Sequence, residues 1–212
     1  MKILKNETKV EDLYYYRKSV VLYQMTVVFC RRFLPKHGDR TVDQMVQAAR
    51  SGKQNIVEGL ADGTTSTEME LKLLNVARAS IKELREDYAD YLGVHSLARW
   101  DAKHPRFDAM VSFCRANNDL SGYEPFFGKW TDEEFCNCAL TLCHMVDKMI
   151  TTVLEKKTAD FKEHGGIRER MTAARLGRRR EQTAEIAALK AEVARLAEEN
   201  AALKARLKEL EI

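Results

Sequence analysis

The densest chemistry in this sequence is arginine. Arg168, Arg170, Arg175, Arg178, Arg179 and Arg180 fall within thirteen residues. A guanidinium keeps its charge, and its planar fork matches two phosphate oxygens, so such a cluster suits a polyanion bound in a salt-dependent way. A second polar set pairs Asn55 with Glu58 and Ser80 with Glu83, each pair three residues apart and so on one helical face. Two carboxylates so placed suit a metal or a proton transfer, or else a buried polar network that fixes helix register. The network is the expectation, a structural polar core. His37, His95, His104, His144 and His164 are scattered, and no nucleophile–base pairing or phosphate loop accompanies the carboxylates. Cys136 and Cys143 share a helical face, with His144 beside them, while Cys30, Cys114 and Cys138 complete an odd set without a CxxC pair. They are expected to be small apolar residues of a reduced core, since structural zinc draws paired ligands from turns. No catalytic residue, metal site, cofactor or small-molecule substrate is evident, and no enzyme is expected.

The elements that must position these residues are helical. The chain has 212 residues, 45% apolar and 32% charged, with three prolines and ten glycines that mostly fall between periodic segments. A first helix is expected from about Val10 to Leu34, closed by Pro35 and Gly38, with Leu22, Met25, Val28 and Phe29 as its apolar stripe. The second starts near Asp39 or Thr41 and ends at Gly59. Two capping-box spacings, Thr65 to Glu68 and Thr67 to Glu70, mark the start of the third, which runs to Tyr91 and Leu92. Residues 93–130 form an irregular connection with a short helix, about Arg106 to Ala116. Its aromatics (Trp100, Phe107, Phe113, Tyr123, Phe126, Phe127, Trp130) indicate a packed flap. Thr131, followed by three acidic residues, caps a fourth long helix to about Asp160. Four long helices with one apolar stripe each predict an all-α fold, an antiparallel up-down four-helix bundle over residues 1–160.

Charge then separates the remainder. Residues 1–160 carry 23 basic and 23 acidic side chains, residues 161–180 carry seven against two, and residues 181–212 carry five against seven. The whole excess lies in the arginine segment. A weaker basic group, Arg31, Arg32, Lys36, Arg40, Arg50 and Lys53, flanks the first loop and is expected to be a solvated face.

From Ile186 the heptad is regular. Ile186, Val193, Asn200 and Leu207 occupy a; Leu189, Leu196, Leu203 and Leu210 occupy d. β-Branched residues at a with leucine at d favour two parallel strands, and a lone asparagine at a fixes their register. Glu185, Glu199 and Arg206 at g face Lys190, Lys204 and Glu211 at e of a partner, all opposite in sign. Residues 161–182 therefore read as an arginine-rich linker helix, and 183–212 as a leucine-zipper coiled coil. The layout is similar to that of basic leucine zippers. However, Arg170 and Met171 precede Ala173–Ala174 where that family has asparagine, and Gly177 interrupts the reading helix, so sequence-specific reading of DNA is not expected.

The segments ARSGKQNIVEG, Ala49 to Gly59, and NVARASIKELREDYADYL, Asn75 to Leu92, resemble the four-helix-bundle family of 23S ribosomal RNA intervening-sequence proteins. That family is related to accessory proteins of diversity-generating retroelements. FKEHGGIRERMTAARLGRRR, Phe161 to Arg180, looks like the C-terminal suffix of one subset. The resemblance covers roughly residues 12–180. It implies an up-down bundle that assembles as a ring, commonly a pentamer, without enzymatic activity, and in the retroelement branch a protein that binds nucleic acid and a reverse transcriptase.

The expected function is an oligomeric, non-catalytic protein that binds RNA or DNA through the arginine segment with little sequence preference. The alternative is a purely structural scaffold, accessory to a reverse transcriptase or another partner. Self-association is expected as a dimer through the zipper or a pentamer through the bundle. No stretch is apolar enough to span a bilayer and the first residues lack an apolar signal core, so no membrane partner and a cytoplasmic location are expected.

Overall fold

The computed structural model describes residues 9–35 and 40–210 of the chain. Lys36, His37, Gly38, Asp39 and Glu211 therefore lie outside the described residues, and with them Gly38 of the expected first stop, Asp39 of the expected second start and one zipper pair. The class is all-α, with no strand among the described residues. The chain divides into two compact units that meet at Gly166 and Ile167.

In the first unit, a 3-10 turn at Val10–Asp12 precedes α1, Tyr14–Phe33. The single helix expected from Val10 is thus broken: Leu13 is extended and packs inward instead of continuing the spiral. α2 spans Arg40–Asp62, one turn beyond the expected stop at Gly59, because Gly59 is a buried helical packing position and not a cap. α3 spans Thr67–Val94. Its N-cap is Ser66, whose hydroxyl accepts from the Met69 N–H at 3.2 Å, and not Thr65 or Thr67. Thr65 instead donates to the Asp62 carbonyl, while Glu70 reaches Lys157 at 2.6 Å. α4 is the expected short helix, Phe107–Ala116. α5 begins at the predicted cap, Thr131, which forms a capping box with Glu134, but runs Asp132–His164, past the expected end at Asp160. Gly165, at φ 69°, ends it in a conformation that side chains resist.

The four long helices enclose one core. α2 packs on α3, α3 on α5, and α1 on both α2 and α5. Leu22, Met25, Phe29, Met45, Ile56, Leu84, Tyr88 and Phe135 are among its fully buried side chains. Three polar contacts tie it together. Tyr88 donates to Thr26, which donates to the Leu22 carbonyl, so neither buried hydroxyl is left unpaired. Arg78 meets Asp147 at 2.6 Å across α3 and α5. The half-exposed Arg17 pairs with Asp119 and anchors α1 to the segment after α4.

The expected aromatic flap is present as a packed satellite of the core. Phe113 contacts Tyr123, Phe126 and Trp130, and Trp130 meets Phe135 of α5 edge-on. Arg32, exposed as expected, also holds this flap from α1 by donating to the carbonyls of Phe127 and Trp130 while lying over the Phe33 ring. All five cysteines are buried thiols. Burial pushes Cys136, Cys138 and Cys143 well above the ordinary thiol range, which suits core residues and not reactive ones.

α3 packs tightly on α2 at Gly52, where an added Cβ would stand 2.8 Å from the Ile81 Cδ1 atom. Gly52→Ala must displace the fully buried Ile81 side chain or part the helices. Thermal denaturation should show a loss of about 1–3 kcal/mol, more than alanine's helix propensity returns.

Candidate nucleic-acid interface

The second unit is one helix, α6, Ile167–Leu210. The arginine segment and the zipper, expected as linker and coiled coil, share a single uninterrupted spiral. Gly177 does not break it, and no neighbouring side chain lies within 4 Å of where its Cβ would be. Arg168, Arg175, Arg178, Arg179 and Arg180 are exposed, whereas Arg170 is half-buried. Arg178 lies 3.5 Å from Glu181, an exposed pair of little energetic weight.

The seam residues are exposed to water within this chain. Ile186, Leu189, Val193, Leu196, Leu203 and Leu207 show 44–66% of their surface, and Leu210 shows 81%. Such a stripe on a solitary helix exceeds what scattered apolar surface residues contribute. Arg195 bonds Glu192 and Glu199 one turn to either side, which supports the helix from the g positions that flank the seam.

Because α6 is continuous, the heptad phase extends upstream of Ile186. Gln182 then falls at d, Arg179 at a, Arg175 at d, Thr172 at a and Arg168 at d. A parallel pair zipped through this stretch would press guanidiniums against their own copies in the seam. The apolar register therefore ends where the arginines begin.

The four residues expected as a structural polar core divide. Ser80 is buried and bonds Ser51 at 2.9 Å, and half-buried Asn55 donates to the Ser51 carbonyl and hydroxyl. Glu58 and Glu83 are exposed, and Glu58 accepts from Gln54 of its own helix. The α2–α3 tie is thus Asn55–Ser51–Ser80, without either carboxylate, because uncompensated charge is costly to bury. Ser51 was missed since a serine inside a helix gives no spacing signal. Glu83 instead lines a polar groove with Asp43, Gln44, Gln47 and Asp87. Among the described residues, no group of three His, Cys, Asp or Glu side chains is placed to hold a metal ion.

Sequence reasoning also missed a groove of about 1000 Å³ in the first unit, between α1, α3, α4, α5 and the segment after α3. Val111, Leu140, Met145 and Met149 line it with Arg85, Arg99, Arg115 and Lys148. Its cations are isolated in sequence, so charge counting in windows does not register them.

No protein-family model, curated protein or solved structure matches the chain.

Replacing Asn200 with Ile removes the one polar side chain of the seam. Thermal unfolding of the zipper should move to higher temperature while sedimentation equilibrium shows a mixture of strand numbers in place of one. A second outcome concerns the acidic face of α3. Burial, then Asp90 and Glu83, raise the Asp87 carboxyl above its ordinary range, so folding penalises its ionised form. That penalty is present above the raised value and disappears as pH falls through it. Asp87→Asn should raise the melting temperature at pH 7 and lose this advantage in acid, as followed by circular dichroism.

Proposed function

We propose that the protein is a non-catalytic, self-associating nucleic-acid-binding protein, in which paired α6 helices present arginines to the phosphates of RNA or DNA. The observation that carries this reading is the abrupt change along one face of one helix. Apolar a and d residues give way, with no break in the helix, to arginines in the same phase. Pairing of the seam brings two arginine segments together, doubling their charge where the helices must part. Phosphate contact relieves that repulsion and needs no base-edge chemistry, so little sequence preference follows.

The proposal extends to architecture and kinship. The first unit is an antiparallel up-down four-helix bundle of the 23S ribosomal RNA intervening-sequence protein type, with the suffix merged into the coiled-coil helix. The packing of α1, α2, α3 and α5 around one core supports it. The cytoplasm is the proposed location; no helix among the described residues is long and apolar enough to cross a membrane.

A scaffold reading stands beside it, on the observation that Arg178 already has a carboxylate partner, Glu181. In a scaffold the arginines would bind acidic protein faces, and the chain would serve assembly alone. The two oligomer numbers, two through the zipper and five through the bundle, are alternatives that multi-angle light scattering separates.

Binding of fluorescent single- and double-stranded oligonucleotides across a salt series tests the leading reading. Wild type should bind with a steep salt slope. Arg178→Ala/Arg179→Ala/Arg180→Ala should weaken binding for all sequences alike and flatten the slope by roughly 0.7–0.9 for each phosphate no longer neutralised. Absence of wild-type binding at low salt would leave the scaffold reading in its place.

A further inference from the structure

We infer that the groove in the first unit is a binding site for a small organic phosphate ester, one whose phosphate is joined to an apolar or aromatic body. This goes beyond the nucleic-acid reading, which concerns the other unit. Three cations reach the groove from three separate stretches of chain: Arg99 from the segment after α3, Arg115 from α4 and Lys148 from α5. Among the described residues, none of the three has a carboxylate within ion-pair distance. Asp101 is the groove's one acidic residue, and its carboxylate accepts from the Lys103 backbone N–H at 2.8 Å. Positive charge is therefore left over, beside an apolar floor that limits screening by water.

Two buried polar side chains fix the backbone beside two of these cations. Asn137 on α5, 3% exposed, accepts from the Trp100 N–H at 2.7 Å and donates to the Ala98 carbonyl at 2.9 Å. The residue between these two anchors is Arg99. Trp100 is fixed a second time by its indole N–H to Glu133 at 2.8 Å. Lys18 on α1, 4% exposed, donates to the carbonyls of Cys114 and Asn117, which flank Arg115. Its own charge is thereby committed to the C-terminal carbonyls of α4. The backbones that carry Arg99 and Arg115 are thus pinned to α5 and α1, which lowers the ordering cost of binding an anion.

The lining selects the ligand. Guanidinium forks match phosphate oxygens, and two of them with an ammonium balance a dianionic head better than a carboxylate. Val111, Met145 and Met149 are half-buried and give the body of the ester an apolar, adaptable surface. A nucleotide and a short alkyl phosphate share this chemistry, one through an aromatic base and the other through a chain.

Isothermal titration of the 212-residue chain at low salt with AMP, octyl phosphate, adenosine, octanol and inorganic phosphate tests the site. At least one ester should bind once per chain with Kd below roughly 1 mM, and its neutral counterpart and inorganic phosphate should bind at least about tenfold more weakly. AMP alone binding identifies a nucleotide site, and octyl phosphate alone an alkyl phosphate site. Arg99→Ala/Arg115→Ala should weaken the ester about tenfold or more, with Lys148→Glu as an independent variant. Unchanged circular dichroism melting shows that each variant is folded. Arg178→Ala/Arg179→Ala/Arg180→Ala should bind the ester as wild type does. The inference is overturned if neither ester binds, if inorganic phosphate matches them, or if folded groove variants bind unchanged.

Discussion

Apolar helix faces must leave water, and the two units of this chain meet that demand differently. In the first, α1, α2, α3 and α5 bury their stripes against one another within a single chain, to the point that Leu22, Phe29, Leu84 and Tyr88 are fully enclosed. In the second, α6 has a stripe of the same kind and nothing of its own to set against it. Burial of such side chains is worth roughly 1.5–3 kcal/mol each, and a helix in isolation gains almost none of it. Under the proposed pairing the second unit would draw its burial from a second copy, for which the asparagine and the e and g charges are self-complementary.

That dependence gives the arginines their meaning. Six guanidiniums on an unpartnered helix would be a solvated basic face of modest consequence. In the proposed pair, whose seam ends at Ile186, they would form a local excess of charge. In the first unit charge is handled in the opposite way. Glu70 is buried and meets Lys157, Arg78 meets Asp147, and Lys18 directs its protons to carbonyls at the end of α4. Around the groove, and on the acidic face of α3, one sign prevails instead.

Much of the helical framework was legible in the residues. The stripes of α1, α2, α3 and α5, the Thr131 cap and the packed aromatic flap depend on local spacing, which sequence carries directly. Boundaries were less legible. Leu13 breaks the first helix to pack inward, Ser66 outcompetes the two neighbouring threonines as a cap, and α5 continues to a glycine with positive φ. Each outcome is decided by which of several adjacent polar or apolar groups finds a partner, and a period in the sequence does not rank those neighbours.

The sequence by itself determined the zipper's heptad and the arginine cluster, because period and local charge density need no knowledge of the fold. It also determined the all-helical class. Tertiary structure alone decided that Glu58 and Glu83 stay in water while Ser51 joins Asn55 and Ser80, since helix rotation settles which side of a polar face is buried. It alone brought Arg99, Arg115 and Lys148 to one groove, the first two with help from the hydrogen bonds of Asn137 and Lys18. Residues so far apart along the chain become neighbours only when packing closes the loops between them, and no local pattern records that closure.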